Sequence, residues 1–404
     1  MPTLLQQYGS NVLLAYGGVS IKKNGIYEEV MGILKKAGKT VTEFPGIMAN
    51  PTYKKVLEGA TLARDHQADL ILAVGGGSVM DCCKAMALAA VYEGDVWADF
   101  WAKGGTIDFP TIPLGIIMTT SGTGSEMNGG AVITNEDLKA KTGRDYPQLN
   151  ARFALLDPLY TYSVPQKQMI SGAFDSLTHM METYFSAPDE DNVSDSINEA
   201  LMKSTIRNLR RAIQDPEDYQ ARSNLVWASM MAENRILKLG KKGDFQGHIL
   251  EHALGAFTDC NHGCGLAVLL PVYYRHIKVA GAVKFARFAT EVWGIEKDGK
   301  TLAELANDGV EALVAFVKEI GLPTTLRELG MTEAQKALLP QIAATCVASP
   351  GSRPCTLFQY CDDTTGMLLI VKYLFNLSNV ALAPPRRQTA TAAAGLKRSN
   401  SPAE

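Results

Sequence analysis

The sequence predicts an α/β amino-terminal domain built on a parallel sheet, followed by an all-helical carboxy-terminal domain. Over roughly the first 160 residues, short apolar runs alternate with helical patterns, as in parallel strands covered by helices. From about Pro165, long amphipathic patterns replace the strands. The chain has 404 residues, of which 46% are hydrophobic, and this length exceeds what one core usually holds. Two domains are therefore expected.

The first strands and helices alternate along the chain. NVLLAY at 11–16 predicts a buried strand, and IYEEVMGILKKAG predicts a helix that ends at a glycine. KTVTEF at 39–44 predicts the next strand. Asn50 and Pro51 predict the start of a further helix, because asparagine is a preferred cap and proline suits the first helical position.

Two further apolar runs complete the predicted sheet. DLILAV at 69–74 precedes GGGS and a helix over VMDCCKAMALAA, while TIPLGIIMTT at 111–120 precedes the glycine-rich SGTGSE. The second half contains three long amphipathic patterns that are typical of helices. These are PQKQMISGAFDSLTHMMETYF, SDSINEALMKSTIRNLRRAI and DYQARSNLVWASMMAENRILK.

The domain boundary is predicted where Pro158 and Pro165 bracket a linker. We therefore expect an α/β domain over residues 1–160, a helical domain over 161–350 and an atypical tail over 351–404. The end of the tail is poor in large apolar groups, which predicts disorder from about residue 383.

The composition argues against several kinds of partner. A formal net charge of −3, with scattered Lys and Arg, provides no basic surface for nucleic acid. The apolar run GMLLIVKYLFNLSNVALAP is interrupted by residues such as Lys372 and Asn376, so we expect no contact with a membrane. Seven cysteines, two of them adjacent, and the lack of an export signal predict a reduced, cytoplasmic protein.

The loop GGGSVMDCCK at 75–84 is the first of three candidate nucleotide-binding loops. It places glycines where a strand ends and a helix begins, so backbone N–H groups and the helix dipole can face a phosphate. The loop departs from the Rossmann fingerprint, which requires glycine where Met80 stands, and from the P-loop. An ordinary glycine turn is the alternative. The candidate contacts are Gly75, Gly76, Gly77, Ser78 and Asp81.

The other two candidate loops are YGGVSIKKNG at 16–25 and TTSGTGSE, which contains Thr119 and Thr120. The first offers Gly17, Gly18 and Ser20 as candidate contacts. No carboxylate closely follows its strand, and a hydroxyl beside Lys22 and Lys23 suits the 2′-phosphate of NADP, although a plain turn with solvated lysines is the alternative. Because such loops converge at the carboxyl edge of a parallel sheet, we expect a nucleotide crevice there.

Four of the six histidines fall in two short segments of the helical half. Asp175 and His179 are four residues apart on a predicted helix, so their side chains share one face. His248 and His252 have the same spacing, and His262 follows a loop that can turn its imidazole back towards them. One carboxylate with several imidazoles is a ligand set that suits Fe(II) or Zn(II).

Each of these residues also has a plainer interpretation. An aspartate and a histidine four residues apart are commonly a surface or interhelical pair, and His252 could be a core histidine. Cys260 and Cys264 flank His262, but no second cysteine pair completes a structural zinc site. We expect these cysteines to pack as small apolar residues.

Together, GGGSVMDCCK, TTSGTGSE, the DxxxH of Asp175 and His179, and GHILEHALGAFTDCNHG resemble the iron-containing (type III) alcohol dehydrogenases. YGGVSIKK, LLDPLYTYSVP and VWASMMAEN are most similar to the NADPH-dependent butanol dehydrogenase branch. The resemblance runs from about residue 10 to about Ser352. It implies a dehydroquinate synthase-like architecture, with a nucleotide domain, a helical domain and a metal in the cleft between them.

The resemblance also implies roles for individual residues. The implied metal ligands are Asp175, His179, His248 and His262. Lys141 matches a lysine that contacts the cofactor, and His252 falls beside the substrate and the nicotinamide. We expect His252 to relay the proton, because an imidazole titrates near working pH.

The implied activity is hydride transfer between NADP(H), with NAD(H) possible, and short- to medium-chain primary alcohols or aldehydes. The metal is expected to be Fe(II) or Zn(II), and the protein to be a homodimer. Two alternatives stay open at this point. One is a polyol dehydrogenase or a related lyase on the same fold, and the other is a non-catalytic truncated relative.

Overall fold

The computed structural model of the protein describes residues 1–243 and 245–348. The predicted tail, its expected disorder and its apolar run at 366–384 lie outside these residues. Within them, the strands are β1 (Asn11–Tyr16), β2 (Thr40–Phe44), β3 (Leu70–Gly75), β4 (Leu114–Met118), β5 (Gly130–Asn135), β6 (Ala140–Asp145) and β7 (Phe153–Leu156).

Five of these strands form a parallel sheet in the order β2-β1-β3-β4-β7. All six residues of β3 are buried at the centre of the sheet, as the apolar run LILAVG requires. The register pairs Tyr16 with Val74 and Gly75 with Met118, so three strands end at one edge. The loops that follow β1, β3 and β4 therefore converge, as predicted.

The helices of the described residues begin and end as follows. They are α1 (Pro2–Leu5), α2 (Ser20–Lys23), α3 (Ile26–Lys36), α4 (Tyr53–Asp65), α5 (Gly77–Ala89), α6 (Gln166–Tyr184), α7 (Val193–Gln214), α8 (Tyr219–Glu233), α9 (Gln246–Thr258), α10 (His262–Ile277), α11 (Ala282–Arg287), α12 (Leu302–Glu319), α13 (Glu333–Lys336) and α14 (Leu339–Ala348). The three predicted amphipathic helices correspond to α6, α7 and α8. A parallel α/β part followed by a helical part confirms the predicted fold class, while the division at residue 160 stays a prediction.

The start of α4 differs from the expectation, because Thr52 caps the helix and Asn50 does not. The Thr52 side chain accepts a hydrogen bond from the backbone N–H of Lys55 at 3.2 Å. Asn50 instead has a φ of 50° and donates a hydrogen bond from its side chain to Asp259 Oδ1 at 2.7 Å. Asparagine tolerates a left-handed backbone conformation as well as a capping position, and Asn50 adopts the left-handed conformation.

The antiparallel hairpin of β5 and β6 was not predicted. Alternating burial along β5 places Ala131 and Ile133 in the core. The second strand, AKTGRD, is mostly polar, so it lacks the apolar pattern by which a strand is predicted from the sequence. This hairpin matters for the site because β6 contacts α9 and carries Lys141.

The two parts have separate apolar cores. The sheet is covered on both faces, with Leu13 and Ile71 on one side and Leu14 and Leu72 on the other. The helical part packs around its own buried residues, which include Phe174 of α6. No helix within 1–243 or 245–348 is long and apolar enough to cross a membrane.

Candidate active site

A cavity of about 470 Å³ lies where the α/β part meets the helical part. Its wall combines residues of α5, the β5–β6 hairpin, α6, α9 and α10. The predicted site residues in the wall are Gly77, Ser78, Asp81, Lys141, Asp175, His179, His248, His252 and His262. Those outside the wall are Gly17, Gly18, Ser20, Gly75, Gly76, Thr119 and Thr120. The structure thus brings together all five residues predicted from the helical half.

Two helices present pairs of these side chains one turn apart. Asp175 and His179 lie on α6, and His248 and His252 lie on α9, each pair at a spacing of four residues. The rings of His179 and His248 stack with centroids 4.5 Å apart, so the two helices bring their pairs together.

His262 is the first residue of α10, and the start of that helix is held against α6. The Asn261 side chain caps it by accepting a hydrogen bond from the backbone N–H of Cys264 at 3.1 Å. Gly263 permits the close approach, because a Cβ atom there would lie 2.3 Å from the carbonyl oxygen of Ser171. The imidazole therefore turns back towards α6, as the loop spacing predicted.

Three imidazole nitrogens lie close to one carboxylate oxygen, as the ligands of one metal ion do. Asp175 Oδ1 lies 3.9 Å from His179 Nε2, 3.6 Å from His248 Nε2 and 3.4 Å from His262 Nε2. Ligands at about 2.1 Å from a tetrahedral ion lie about 3.4 Å from one another. Asp175 Oδ1 and His248 Nε2 are buried and have no hydrogen-bond partner in the described part of the chain, and a cation would satisfy both.

The charge of Asp175 also suits a metal ligand. Burial disfavours its ionised form, but the imidazoles of His179, His262 and His248 outweigh burial and lower the pKa of Asp175 to about 2. The carboxylate is therefore ionised at neutral pH and needs no proton release to bind a cation.

Two buried glutamates orient two of the imidazoles. Glu182 of α6 contacts His248 Nδ1 and accepts hydrogen bonds from the backbone N–H groups of Gly247 and His248. Glu251 of α9 contacts His262 Nδ1. A carboxylate on Nδ1 fixes the ring and leaves Nε2 free to face an ion.

These two glutamates were missed in the sequence analysis, although the spacing of each from a candidate histidine was a signal. Glu182 follows Asp175 by seven residues and His179 by three, which is the spacing of one helical face. Glu251 follows His248 by three residues on α9, although its partner His262 lies beyond the end of that helix.

The glycine-rich loop after β3 is shaped first by packing. A Cβ atom at Gly76 would lie 3.1 Å from Thr120 Cβ, and one at Gly77 would lie 2.5 Å from Thr123 Cγ2. No side chain caps the amino terminus of α5, and both Gly77 and Ser78 line the cavity. The positive end of the helix dipole is therefore available to a phosphate group.

Asp81 is buried and holds the loop that follows β4. Its carboxylate accepts hydrogen bonds from Ser125 Oγ at 2.6 Å and from the backbone N–H of Val132 at 2.9 Å. Asp81 thus holds Ser125 and Val132 in place, and both residues line the cavity.

Glu43 of β2 corrects one premise of the cofactor expectation, because no carboxylate was expected near the loop after β1. Its Oε2 accepts a hydrogen bond from the Tyr16 hydroxyl at 2.5 Å, and its Oε1 accepts one from the Tyr27 hydroxyl at 2.7 Å. Lys22 Nζ lies 3.5 Å from the same carboxylate. A carboxylate therefore lies beside this loop, with three donors already around it.

Comparison with known proteins identifies the family. Residues 1–158 match the family described as iron-containing alcohol dehydrogenase, and residues 169–354 match the description Fe-containing alcohol dehydrogenase family, C-terminal. The chain belongs to the iron-containing alcohol dehydrogenase family.

Individual relatives in this family match over most of their length. The probable NADH-dependent butanol dehydrogenase 1 of Bacillus subtilis is 38% identical, covering 83% of this chain and 86% of that protein. The NADPH-dependent aldehyde reductase YqhD of Escherichia coli is 33% identical, and the match covers 80% of this chain and 83% of that protein. The crystal structure of NADH-dependent butanol dehydrogenase A from Thermotoga maritima superimposes with a TM-score of 0.84 at 32% identity. The match covers 92% of this chain and 94% of that chain.

Membership in the iron-containing alcohol dehydrogenase family makes the chain an enzyme and implies iron and NAD(P) as its cofactors. The polyol dehydrogenase and lyase alternatives are not favoured, because the relatives just named are butanol dehydrogenases and an aldehyde reductase. The residues around Asp175 fit the implied metal by their spacing, their burial and their unpaired atoms.

Metal binding to this iron-containing alcohol dehydrogenase is expected to raise its thermal unfolding midpoint, because the side chains expected to hold the ion, Asp175 and the three imidazoles beside it, come together only in the native state. At a free metal concentration of 100 times Kd, the stabilisation is about 2.7 kcal/mol. Thermal unfolding of chelator-treated protein, with and without Zn(II), measures the shift. His262→Ala should show a much smaller shift, and an unchanged midpoint in the parent would contradict a metal site in the native state.

Proposed function

We propose that this enzyme transfers hydride between NADP(H) and short- to medium-chain primary alcohols or aldehydes. In this proposal Asp175, His179, His248 and His262 hold the metal. The observation that carries it is the convergence of three imidazole nitrogens within 3.9 Å of a buried, unpaired carboxylate oxygen. The relatives named above, which act on butanol or aldehydes by their names, support the substrate class.

In this proposal, some residues of the chain hold and orient the metal ligands, and another transfers the proton. When bound, the metal supplies Lewis-acid chemistry and the dinucleotide supplies the hydride. Glu182 and Glu251 keep the Nε2 atoms of two ligands turned towards Asp175. The cavity reaches from these ligands to Ser78 at the start of α5, so a dinucleotide bound there brings its ring close to the metal site.

His252 is the proposed proton relay. Its ring lies in the cavity wall, with its centroid 5.7 Å from that of His262 and 6.3 Å from that of His248. Burial and the positive charge of Lys141 lower the pKa of His252 well below its usual value. The ring is thus neutral at working pH, contrary to the expectation that it titrates there. A neutral imidazole still has one donor and one acceptor nitrogen and can pass a proton between water and substrate.

Fe(II) is the metal we infer, with Zn(II) as the alternative. Imidazole and carboxylate ligands accept both ions, so the donor set itself does not choose between them. The family description supports iron.

NADPH is expected to be preferred over NADH, because Ser20 and Lys22 lie in the predicted cofactor loop after β1 and Glu43 already accepts hydrogen bonds from two tyrosine hydroxyls. Lys22→Met should lower kcat/KM for NADPH about tenfold, the value of a lost charged hydrogen bond, and change that for NADH little. Lys35→Met, an exposed lysine on α3, is the control. A clear kinetic preference of the parent for NADH would contradict this choice.

A cytoplasmic homodimer is also proposed. Cys82 and Cys83 are free and buried side by side in α5, which supports a reducing environment. Light scattering on the purified protein measures its mass in solution and tests the dimer.

Anaerobic oxidation of NADPH by Fe(II)-loaded protein with butanal tests the proposed function. The matched substrate is glycerol with NADP⁺, which is the reaction of the polyol alternative. Turnover of butanal, and little of glycerol, is expected. Turnover of glycerol alone would support a polyol dehydrogenase, and no turnover of either by folded, metal-loaded protein would contradict the proposal.

A further inference from the structure

Glu251 contacts groups from both parts of the molecule. Its Oε2 accepts a hydrogen bond from Lys141 Nζ at 3.1 Å and also contacts His262 Nδ1. Its Oε1 lies 3.8 Å from Cys260 Sγ. The side chains of Glu251 and Lys141 are 0% and 4% exposed, so this ion pair is buried, while Lys141 also lines the cavity. One carboxylate oxygen therefore joins β6 of the α/β part to the first residue of α10.

The space for this ion pair is made by two glycines. A Cβ atom at Gly255 would lie 3.0 Å from Lys141 Nζ, and one at Gly265 would lie 2.9 Å from Glu251 Cγ. Lys141 thus passes over α9 and reaches Glu251 only because the helix surfaces lack side chains at these two points. The pair is built into the packing of both helices.

Glu182 provides a comparison within the same site. It is buried like Glu251 and contacts Nδ1 of a predicted metal ligand, His248. Its other partners are backbone N–H groups of α9, so its hydrogen bonds within residues 1–243 and 245–348 lie in the helical part. The two glutamates therefore orient ligands in the same way, but only Glu251 reaches the part of the chain that carries the dinucleotide loops.

We propose that Glu251 is a positioning residue that links the metal site to the dinucleotide site by holding His262 and Lys141 at once. The inference rests on the proposed function, in which His262 binds the metal and Lys141 contacts the dinucleotide. Loss of the Glu251 charge then releases both groups, since the same oxygen holds them. Loss of the Glu182 charge releases only the ring of His248.

The test measures two binding constants in the parent and in three variants, Glu251→Gln, Glu182→Gln and Lys141→Met. Competition with a chelator gives the Kd for Zn(II), and NADPH fluorescence gives the dinucleotide Kd in metal-free protein. Glu251→Gln should raise the Zn(II) Kd about 10- to 100-fold, the usual effect of losing a group that orients a ligand. It should also raise the NADPH Kd about tenfold, within the range of coupling between sites.

Glu182→Gln should raise the Zn(II) Kd by a similar factor and leave the NADPH Kd unchanged. The proposal is overturned if Glu251→Gln changes only the Zn(II) Kd, or if both glutamate variants raise both constants. A parent that binds neither Zn(II) nor NADPH would instead defeat the proposed function, so the two failures are distinguishable.

The double variant Lys141→Met with Glu251→Gln keeps the test usable if the single glutamine variant fails to fold. It removes the buried cation together with its partner, so no charge of the pair is left unpaired. Against Lys141→Met alone, the added Glu251→Gln should raise the Zn(II) Kd and leave the NADPH Kd unchanged. A further rise in the NADPH Kd would show that Glu251 does not act through Lys141.

Discussion

Asp175→Asn is expected to lower kcat/KM about 10³-fold or more and to release the metal. Asp175 is the one carboxylate among the four proposed ligands, and its Oδ1 faces all three imidazole Nε2 atoms. Losing the charge of Asp175 weakens metal binding. Without the metal, the transition state loses Lewis-acid stabilisation of several kcal/mol, and each 1.36 kcal/mol lowers the rate about tenfold. Elemental analysis of dialysed protein and steady-state kinetics with butanal measure both effects.

The matched control for this variant is Asp137→Asn. The Asp137 side chain is 72% exposed and pairs with Lys54 on the surface, so the same chemical change there should leave metal content and turnover unaltered. Full metal content and parental turnover in Asp175→Asn would contradict the assignment of this carboxylate as a ligand.

His252→Ala is expected to retain the metal while lowering kcat about 10²- to 10⁴-fold, the usual contribution of a positioned acid–base group. The ring lies in the cavity wall, and it is not among the imidazoles grouped with Asp175 Oδ1. Its removal therefore interrupts proton transfer without opening the metal site. Metal titration and single-turnover rates separate the two quantities.

The exposed His66 at the end of α4 supplies the control, and His66→Ala should behave as the parent. Unchanged turnover in His252→Ala would dismiss the relay role. A loss of metal equal to that of His262→Ala would instead make His252 a ligand or a support of one.

Strands with buried side chains on both faces were predictable from the sequence. In β1 and β3 nearly every residue is buried, so an apolar run and a strand coincide. In β6 the residues are mostly polar, and the strand exists because it pairs with β5 and rests on α9. Contacts between distant segments of the chain leave no local periodicity, and this hairpin was missed for that reason.

The candidate site divides in the same way. Spacing predicted that Asp175 and His179 share one helix face, that His248 and His252 share another, and that the loop before His262 can turn its ring back towards them. The resemblance supplied the choice of His248 and His262 as ligands. The partners that orient these rings depend on tertiary packing, as the pairing of Glu251 with Lys141 across 110 residues illustrates. The prediction that Asn50 caps α4 was wrong because the Asn50 side chain donates a hydrogen bond to Asp259, in the other half of the chain.

Transfer of deuterium from cofactor to substrate tests metal-assisted hydride transfer at this site most directly. Metal-loaded parent protein is mixed anaerobically with butanal and NADPH that carries deuterium at both C4 positions of the nicotinamide, beside His262→Ala as control. We expect mass spectrometry to find butanol with one deuterium at C1 from the parent and none formed by the variant. Butanol without deuterium at C1, or no butanol from folded and metal-loaded parent, would contradict the assignment.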